Sequence, residues 1–439
     1  MTKINDTSIL FKPFILPGGQ VIPNRIVKAS MEENMADNNH LPGTKLINLY
    51  KTWATGGSGL LLTGNVMVAD DAVTGPGGIV LDVKQPLEPF KRWAKAGKIA
   101  GGKIWMQINH PGRQVYIKTN PKAIAPSAVP IEMGTYSKLF TQPRAMTEND
   151  IAKVINQFVV TAELAEQAGF DGVEIHAAHG YLLSQFLSPL TNLREDQWGG
   201  SLENRARILI EIIKNIRMRV SPKFGVGVKL NSADFQKGGF NNLDAIHVVK
   251  MLGQLPVDLV EISGGSYESP AMQGAPKKGE KKSTYMREAY FVDFAREIQR
   301  ASNIPIMVTG GIKRRATALK ALMSEGDHSG VALVGIARAL AYVPDLANRW
   351  KQDEWVVVLP EINFKKKALN SLARMGAAKY QLRRLGRKKV PKLNVSPMWA
   401  LILQQLITKK RNKHYRAWLK NRHSTKVVKE PYKNQNKAS

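Results

Sequence analysis

Eight short apolar runs, each followed by a longer segment of helical periodicity, constrain this 439-residue chain more than any other feature. They fall at residues 25–29, 59–63, 103–108, 172–176, 225–230, 259–263, 304–309 and 331–334. Each is short and largely apolar rather than alternating, which is the pattern of strands buried on both faces. The clearest helix between them is predicted over residues 147–169. Ile151, Val154, Ile155, Phe158, Val159, Ala162 and Ala165 recur three and four apart, Thr147 with Asp150 predicts a capping box, and Gly169 suits the left-handed stop. Residues 202–220 and 285–302 also read as helices. Eight such units in about 350 residues predict an α/β chain folded as a (β/α)8 TIM barrel. An open doubly wound sheet is the alternative, disfavoured because no Gly-x-Gly-x-x-Gly turn follows the first strand. Residues 8–22, with Pro17-Gly18-Gly19 between two apolar runs, predict a hairpin capping the N-terminal end of the barrel.

The rhythm stops near Trp350. Residues 1–350 are therefore read as the barrel and residues 351–439 as a basic, helical C-terminal extension. The chain carries 64 Lys+Arg against 35 Asp+Glu, a net charge of +29, and the extension alone holds 23 against 4. Residues 364–385 predict an amphipathic helix. The apolar run 398–407 leads into Lys409, Lys410, Arg411, Lys413, Arg416 and Lys420, interleaved with Tyr415 and Trp418. Such a segment suits an anionic membrane surface, and less well a nucleic-acid backbone. Packing on the barrel, or on a second subunit of a homo-oligomer, is the competing expectation. The first residues lack a signal core, and no run approaches the ~20 apolar residues of a spanning helix. A cytoplasmic protein, at most peripheral at a membrane, is expected. The chain has no cysteine. That excludes a disulfide scaffold, a zinc-thiolate site, a Cys nucleophile and a cysteine-bound iron–sulfur cluster.

Active sites of such barrels sit on the loops after the strands. At the end of the fourth predicted strand stand His176, His179 and Tyr181. Two imidazoles can hold a carbonyl oxygen and stabilise charge developing on it, and a phenol can protonate a carbanion-like centre. A metal pair or two structural histidines are the alternatives. Thr309-Gly310-Gly311 and Gly335-Ile336-Ala337-Arg338 end the seventh and eighth strands, where backbone amides and a guanidinium suit a phosphate. Gln107, near the end of the third strand, can read the edge of a planar heterocycle, and Lys229, ending the fifth, can place a cation under an anionic ring. The run from Thr191 to Arg207 reads as a structural pin for the Tyr181 loop. Lys277, Lys278, Lys281 and Lys282 suggest a basic rim near the sixth strand.

These blocks, above all the run from His176 to Arg207, resemble the Old Yellow Enzyme family of FMN-dependent NAD(P)H oxidoreductases, over residues 8–350. The resemblance implies a non-covalent FMN at the mouth, lined by the backbone of Ala29, Ser30 and Met31. It implies Gln107 at the pyrimidine end, Lys229 near the N1/C2 edge, and Gly310, Gly311, Gly335, Ala337 and Arg338 around the phosphate. His176 and His179 would bind the oxygen of a small-molecule substrate, and Tyr181 would donate the proton. NADH or NADPH would deliver hydride to the flavin, and an activated alkene such as an α,β-unsaturated carbonyl compound would then receive it. Three departures stand out. Glu32 occupies the place near flavin N5 where Thr or Cys is usual, Lys229 replaces a common Arg, and Ala337 replaces a Gly. The competing functional readings are a phosphate-binding aldolase or isomerase, with Lys229 as its reactive amine, and an adaptor acting through the basic tail.

Overall fold

The computed structural model describes residues 8–268, 284–324, 330–352, 359–360, 362, 364 and 367–424. Eight strands form the barrel: β1 Ile26–Lys28, β2 Leu60–Leu62, β3 Lys103–Asn109, β4 Gly172–Ala177, β5 Gly225–Asn231, β6 Leu259–Ser263, β7 Ile306–Thr309 and β8 Leu333–Ile336. Every neighbouring pair is parallel, β8 returns to β1, and β3 pairs with β4, so the ring is closed. All eight predicted strands are present. The last begins two residues later than its apolar run, because the Val331 amide donates to Ala321 in the preceding helix (2.9 Å).

Helices α1 Thr44–Thr55, α2 Glu88–Gly97, α3 Glu148–Gln167, α4 Leu202–Arg217, α5 Asn242–Leu252, α6 Thr284–Arg300 and α7 Arg315–Leu322 connect the strands. The predicted start of α3 holds in detail. Asp150 N donates to Thr147 Oγ1 (3.2 Å), Thr147 N donates back to Asp150 Oδ2 (2.8 Å), and Gly169 ends the turn at φ +83°.

The floor of the barrel is filled by a cluster of buried side chains around one large ring. Trp105 is fully buried, and a Cβ added at Gly172, Gly225 or Gly227 would come within 2.7, 2.1 and 2.8 Å of it. Three glycines thus make room for one large inward side chain. Beneath it, Phe14–Ile15 pairs antiparallel with Val21–Ile22, after a short helix at Ser8–Phe11. Gln20 Oε1 accepts from the Trp105 indole (2.8 Å) and Gly18 N donates to Asp258 (2.7 Å), so the hairpin closes the N-terminal end. With the floor sealed, the C-terminal mouth is where side chains converge.

The described residues of the extension beyond 366 form two helices, α8 Lys367–Gly386 and α9 Pro397–Ser424. The apolar run 398–407 and the basic run after it are one continuous helix. Helix α8 packs on α1, on a short helix at Ala339–Tyr342 and on α9. Helix α9 is anchored on the loops after β1, β2 and β3. Tyr415 is fully buried, its hydroxyl donates to the Asp70 carbonyl (2.9 Å), and its ring lies 5.1 Å from that of His40. The Trp418 ring lies 4.4 Å from His40, Arg422 pairs with Asp70 (2.8 Å) and with Asp82, and Thr119 donates to Asn412 (2.8 Å). The aromatics interleaved with the basic residues therefore face the barrel. Among the described residues no helix is long and apolar enough to cross a membrane.

Candidate active site

Residues alternate around the inner wall, so the strand register decides what meets at the mouth. His176 of β4 stands opposite Lys229 of β5, Lys229 opposite Glu261 of β6, and Gln107 of β3 opposite Glu174 of β4. His176 and Tyr181 are buried, at 2% and 6% exposure. The His176 ring lies 5.1 Å from that of His179 and 4.9 Å from that of Tyr181, perpendicular to the latter at 88°. His179 is turned into this group by a left-handed backbone (φ +61°), uncommon for a residue with a Cβ. The turn is held by the Asn231 carboxamide, whose oxygen accepts from His179 N (3.1 Å).

Hydrogen bonding sets the roles of the His176 ring nitrogens. His176 Nδ1 accepts from Ala178 N (3.2 Å), so the proton of the neutral ring sits on Nε2. His179 Nε2 lies 2.8 Å from Ser263 Oγ, a contact in which either group can donate. Burial, then the repulsion a protonated ring would meet from a protonated His179 and from Lys229, hold His176 far below the usual imidazole range, and burial and Lys229 do the same for His179. Both are neutral donors at pH 7. The Tyr181 hydroxyl is 3.2 Å from that of Tyr267. Burial, then the Glu32 charge, push its pKa above the ordinary phenol value, so it keeps its proton.

Beneath the imidazoles lies a buried charge network. The Lys229 ammonium pairs with Glu261, and Gln107 Nε2 donates to Glu174 (2.6 Å). Burial and the Glu261 charge raise Glu174 well above the carboxylate range, whereas Lys229 brings Glu261 below it. Glu174 therefore keeps its proton, while Glu261 stays ionised, its Oε2 buried without a hydrogen-bond partner. Lys28 is wholly buried nearby. It donates to the Leu62 carbonyl (2.7 Å), lies 3.7 Å from Glu33 and 4.4 Å from the Trp53 ring, and burial lowers its pKa to about 8.

At the opposite side of the mouth, Gly310 (φ +152°) and Gly311 (φ +72°) turn the chain after β7. A Cβ at Gly335 would lie 3.2 Å from that of Ala29. Ala29 N donates to Ile336 (2.9 Å), Ser30 Oγ donates to the Thr63 carbonyl, and Met31 packs half-buried on the core. Ala337 precedes Arg338, whose Nε is buried without a hydrogen-bond partner. Burial lowers the pKa of Arg338, and the neighbouring Arg374 charge lowers it further.

The loops around this mouth are tied across it. Arg113 pairs with Glu268 (2.5 Å), joining the loops after β3 and β6. Arg205 donates to the Leu187 carbonyl, at the end of the Leu182–Leu187 helix that follows Tyr181, and Arg194 donates to Met146 (2.6 Å). Lys277, Lys278, Lys281 and Lys282 lie outside the described residues. Among the described residues no group of three or more His, Asp or Glu is placed to hold a metal ion.

The sequence profile of the NADH:flavin oxidoreductase / NADH oxidase family matches residues 9–354. The chain belongs to that family. Two relatives are each called NADH-dependent flavin oxidoreductase iliE. The one from Hypocrea jecorina is 37% identical over 352 residues, covering 76% of this chain and 86% of the relative. The one from Neonectria sp. is 39% identical over 354 residues, covering 76% of this chain but 46% of the relative, so this chain spans about half of that longer protein. In fold the chain is similar to the old yellow enzyme homologue of Zymomonas mobilis, with a TM-score of 0.64 and 24% identity over 78% of this chain and 92% of that one. The family places this chain among FMN-dependent NADH:flavin oxidoreductases.

The family's cofactor fits the residues present. A buried guanidinium with an unpartnered Nε, beside two turns that bring backbone close, suits the dianionic phosphate of FMN. The buried carboxamide of Gln107 and the ammonium of Lys229 lie across the barrel from it, where a polar planar ring would need them. Glu33, Lys28, Glu174, Glu261 and Tyr267 were not singled out from the sequence. A single charged residue inside an apolar strand, as at Lys28, Glu174 and Glu261, was the visible signal.

Four shielded histidines make the fold sensitive to acid. Burial leads in lowering His40 to about 4 and His110 to about 3, and in holding His176 and His179 far below normal. In the unfolded chain each titrates near ~6.5. Stability is therefore fully present above that value. It falls as the pH drops, because the unfolded chain binds protons that the folded one refuses. For His40 the loss levels off only below about 4. Thermal melting followed from about pH 7.5 down to about 4.5 should decline progressively from ~6.5. A melting temperature that stays flat over that span contradicts these assignments.

Proposed function

We propose that this chain passes hydride from a nicotinamide donor, through FMN, to the alkene of an α,β-unsaturated carbonyl compound or similar activated acceptor. The observation that carries the reading is the convergence of two neutral imidazoles and a protonated phenol at one mouth. Bound FMN supplies the hydride chemistry. The chain's residues do the rest. With Ser263 Oγ donating to His179 Nε2, His176 Nε2–H and His179 Nδ1–H donate to the acceptor's carbonyl oxygen and stabilise the negative charge that grows there as the β-carbon takes hydride. Tyr181 gives its proton to the α-carbon, and Tyr267 is placed to hydrogen-bond the phenolate left behind. The cofactor residues are assigned as follows. Arg338, with the backbone of Gly310, Gly311, Gly335 and Ala337, holds the phosphate; Ala29, Ser30 and Met31 line one side; and Gln107 and Lys229 address the ring.

Lys229 is engaged by Glu261, which weighs against a Schiff-base aldolase. For the extension, taken as residues 351–439 on a 1–350 barrel, the burial of Tyr415 and the stacking of Trp418 on His40 favour packing over a lipid surface. NADH is the favoured donor, since the relatives named above are NADH-dependent. The test is product analysis in D2O with an α,β-unsaturated ketone. The expected product is the saturated ketone, with donor hydride at the β-carbon and solvent deuterium at the α-carbon. A reduced carbonyl with an intact alkene, or no product, contradicts the reading.

A further inference from the structure

The innermost contact between the extension and the catalytic face is an ion pair. Lys379 Nζ of α8 lies 3.0 Å from Glu32 Oε2, across 347 residues of sequence. Both are shielded, with side-chain exposures of 9% and 24%. The other carboxylate oxygen accepts from Thr74 Oγ1 (2.5 Å). The charged and titratable groups facing Glu32 come from four elements: Lys379 from α8, Tyr116 from the loop after β3, Tyr181 from the loop after β4 and Tyr267 from the loop after β6. The Asn34 carboxamide also lies close enough to favour its ionised form. A carboxyl group thus stands within electrostatic reach of the phenol that serves as acid. Ionised, it holds the proton on Tyr181. Protonated, it would be a competing acid with weaker affinity for its proton.

We propose that Lys379 is a positioning residue of the active site, supplied by the C-terminal extension, which keeps Glu32 ionised and fixed and so leaves Tyr181 as the proton donor. Shielding a carboxylate from water is costly unless a cation and hydrogen bonds meet it, and here one lysine and one threonine do so. The balance falls on the ionised side. Burial pushes Glu32 upward, but Lys379, Thr74 and Asn34 together bring it below the ordinary carboxylate value. The extension is thereby part of the catalytic apparatus and not an appendage to it. This rests on the role assigned to Tyr181 above.

The test compares Lys379→Met, Lys379→Arg, Glu32→Gln and the Lys379→Met/Glu32→Gln double variant in the full chain with FMN. Infrared difference spectra across a pH titration report protonation of the Glu32 carboxyl, independently of turnover. Single-turnover reduction of an enone reports its effect on proton transfer. In Lys379→Met, the Glu32-dependent carboxyl band should titrate about 1–3 pH units higher than in the wild type. The acceptor step should acquire the same ionisation. Both should vanish in the double variant, and Lys379→Arg should behave as the wild type. An unmoved band in Lys379→Met, or a new ionisation that survives Glu32→Gln, overturns the proposal. Should Lys379→Met fail to fold, Lys379→Gln keeps a hydrogen-bond donor without the charge and carries the same comparison. If Tyr181→Phe leaves acceptor reduction untouched, the role of Tyr181 falls. The band still decides whether Lys379 holds Glu32 ionised.

Discussion

Tyr181→Phe is expected to slow acceptor reduction by about 10²- to 10⁴-fold, the usual worth of a positioned general acid. The donor half, followed as anaerobic bleaching of the flavin by NADH, should be unchanged. The asymmetry follows from where the hydroxyl sits. Phe keeps the ring that packs 4.9 Å from His176, so the shape of the mouth survives. Only the oxygen is lost, and with it the proton that burial and Glu32 hold in place. Hydride donation by a nicotinamide consumes no proton from Tyr181, so that half has nothing to lose. Stopped-flow measurement of the two halves separates the outcomes. Equal slowing of both would mean that Tyr181 shapes the site and does not supply the proton.

The second large effect concerns stability. Lys229→Met removes the cation from a cluster in which Glu261 has no exposed surface and Glu174 is 2% exposed. Deleting one partner of a buried pair leaves an uncompensated charge, which costs about 3–5 kcal/mol. Chemical denaturation of the FMN-free protein at pH 7 should show a loss of that order. The loss should shrink as the pH is lowered, because Glu261 can then take up a proton in place of its lost cation. Its folded pKa is held down by Lys229, so the contribution is present at neutral pH and is lost as the pH falls through that lowered value. Glu261→Gln in the Lys229→Met background should recover part of the stability, since an amide buries more cheaply than a charge. A loss below about 1 kcal/mol would mean that water reaches the pair.

The barrel was legible because its strands are buried on both faces and its helices start and stop on local chemistry. Thr147 with Asp150 marks such a start, and Gly169 such a stop. His176, His179 and Tyr181 were legible for a similar reason: they lie within six residues, at a strand end, with Gly180 turning the chain between His179 and Tyr181. The charged layer below was not. Glu174 and Glu261 sit singly inside apolar strands, and only the register of four strands brings them to one lysine and one glutamine. Tyr267 was missed for the same reason, since its partner is 86 residues away. The extension shows the limit most plainly. Its amphipathic pattern predicts a covered face, but nothing in residues 364–424 names the covering surface. That depends on His40, Asp70, Thr119 and Glu32, four loop residues far away in sequence.

The central claim is that the mouth of the barrel holds FMN beneath two imidazoles and a phenol, and turns it over between a nicotinamide and an alkene. The visible spectrum of the protein, supplied with FMN and freed of excess by gel filtration, tests this most directly. A flavin band should remain with the protein, bleach on anaerobic addition of NADH, and return on addition of an α,β-unsaturated ketone. A colourless protein after filtration, or a bleached band that only oxygen restores, would contradict it.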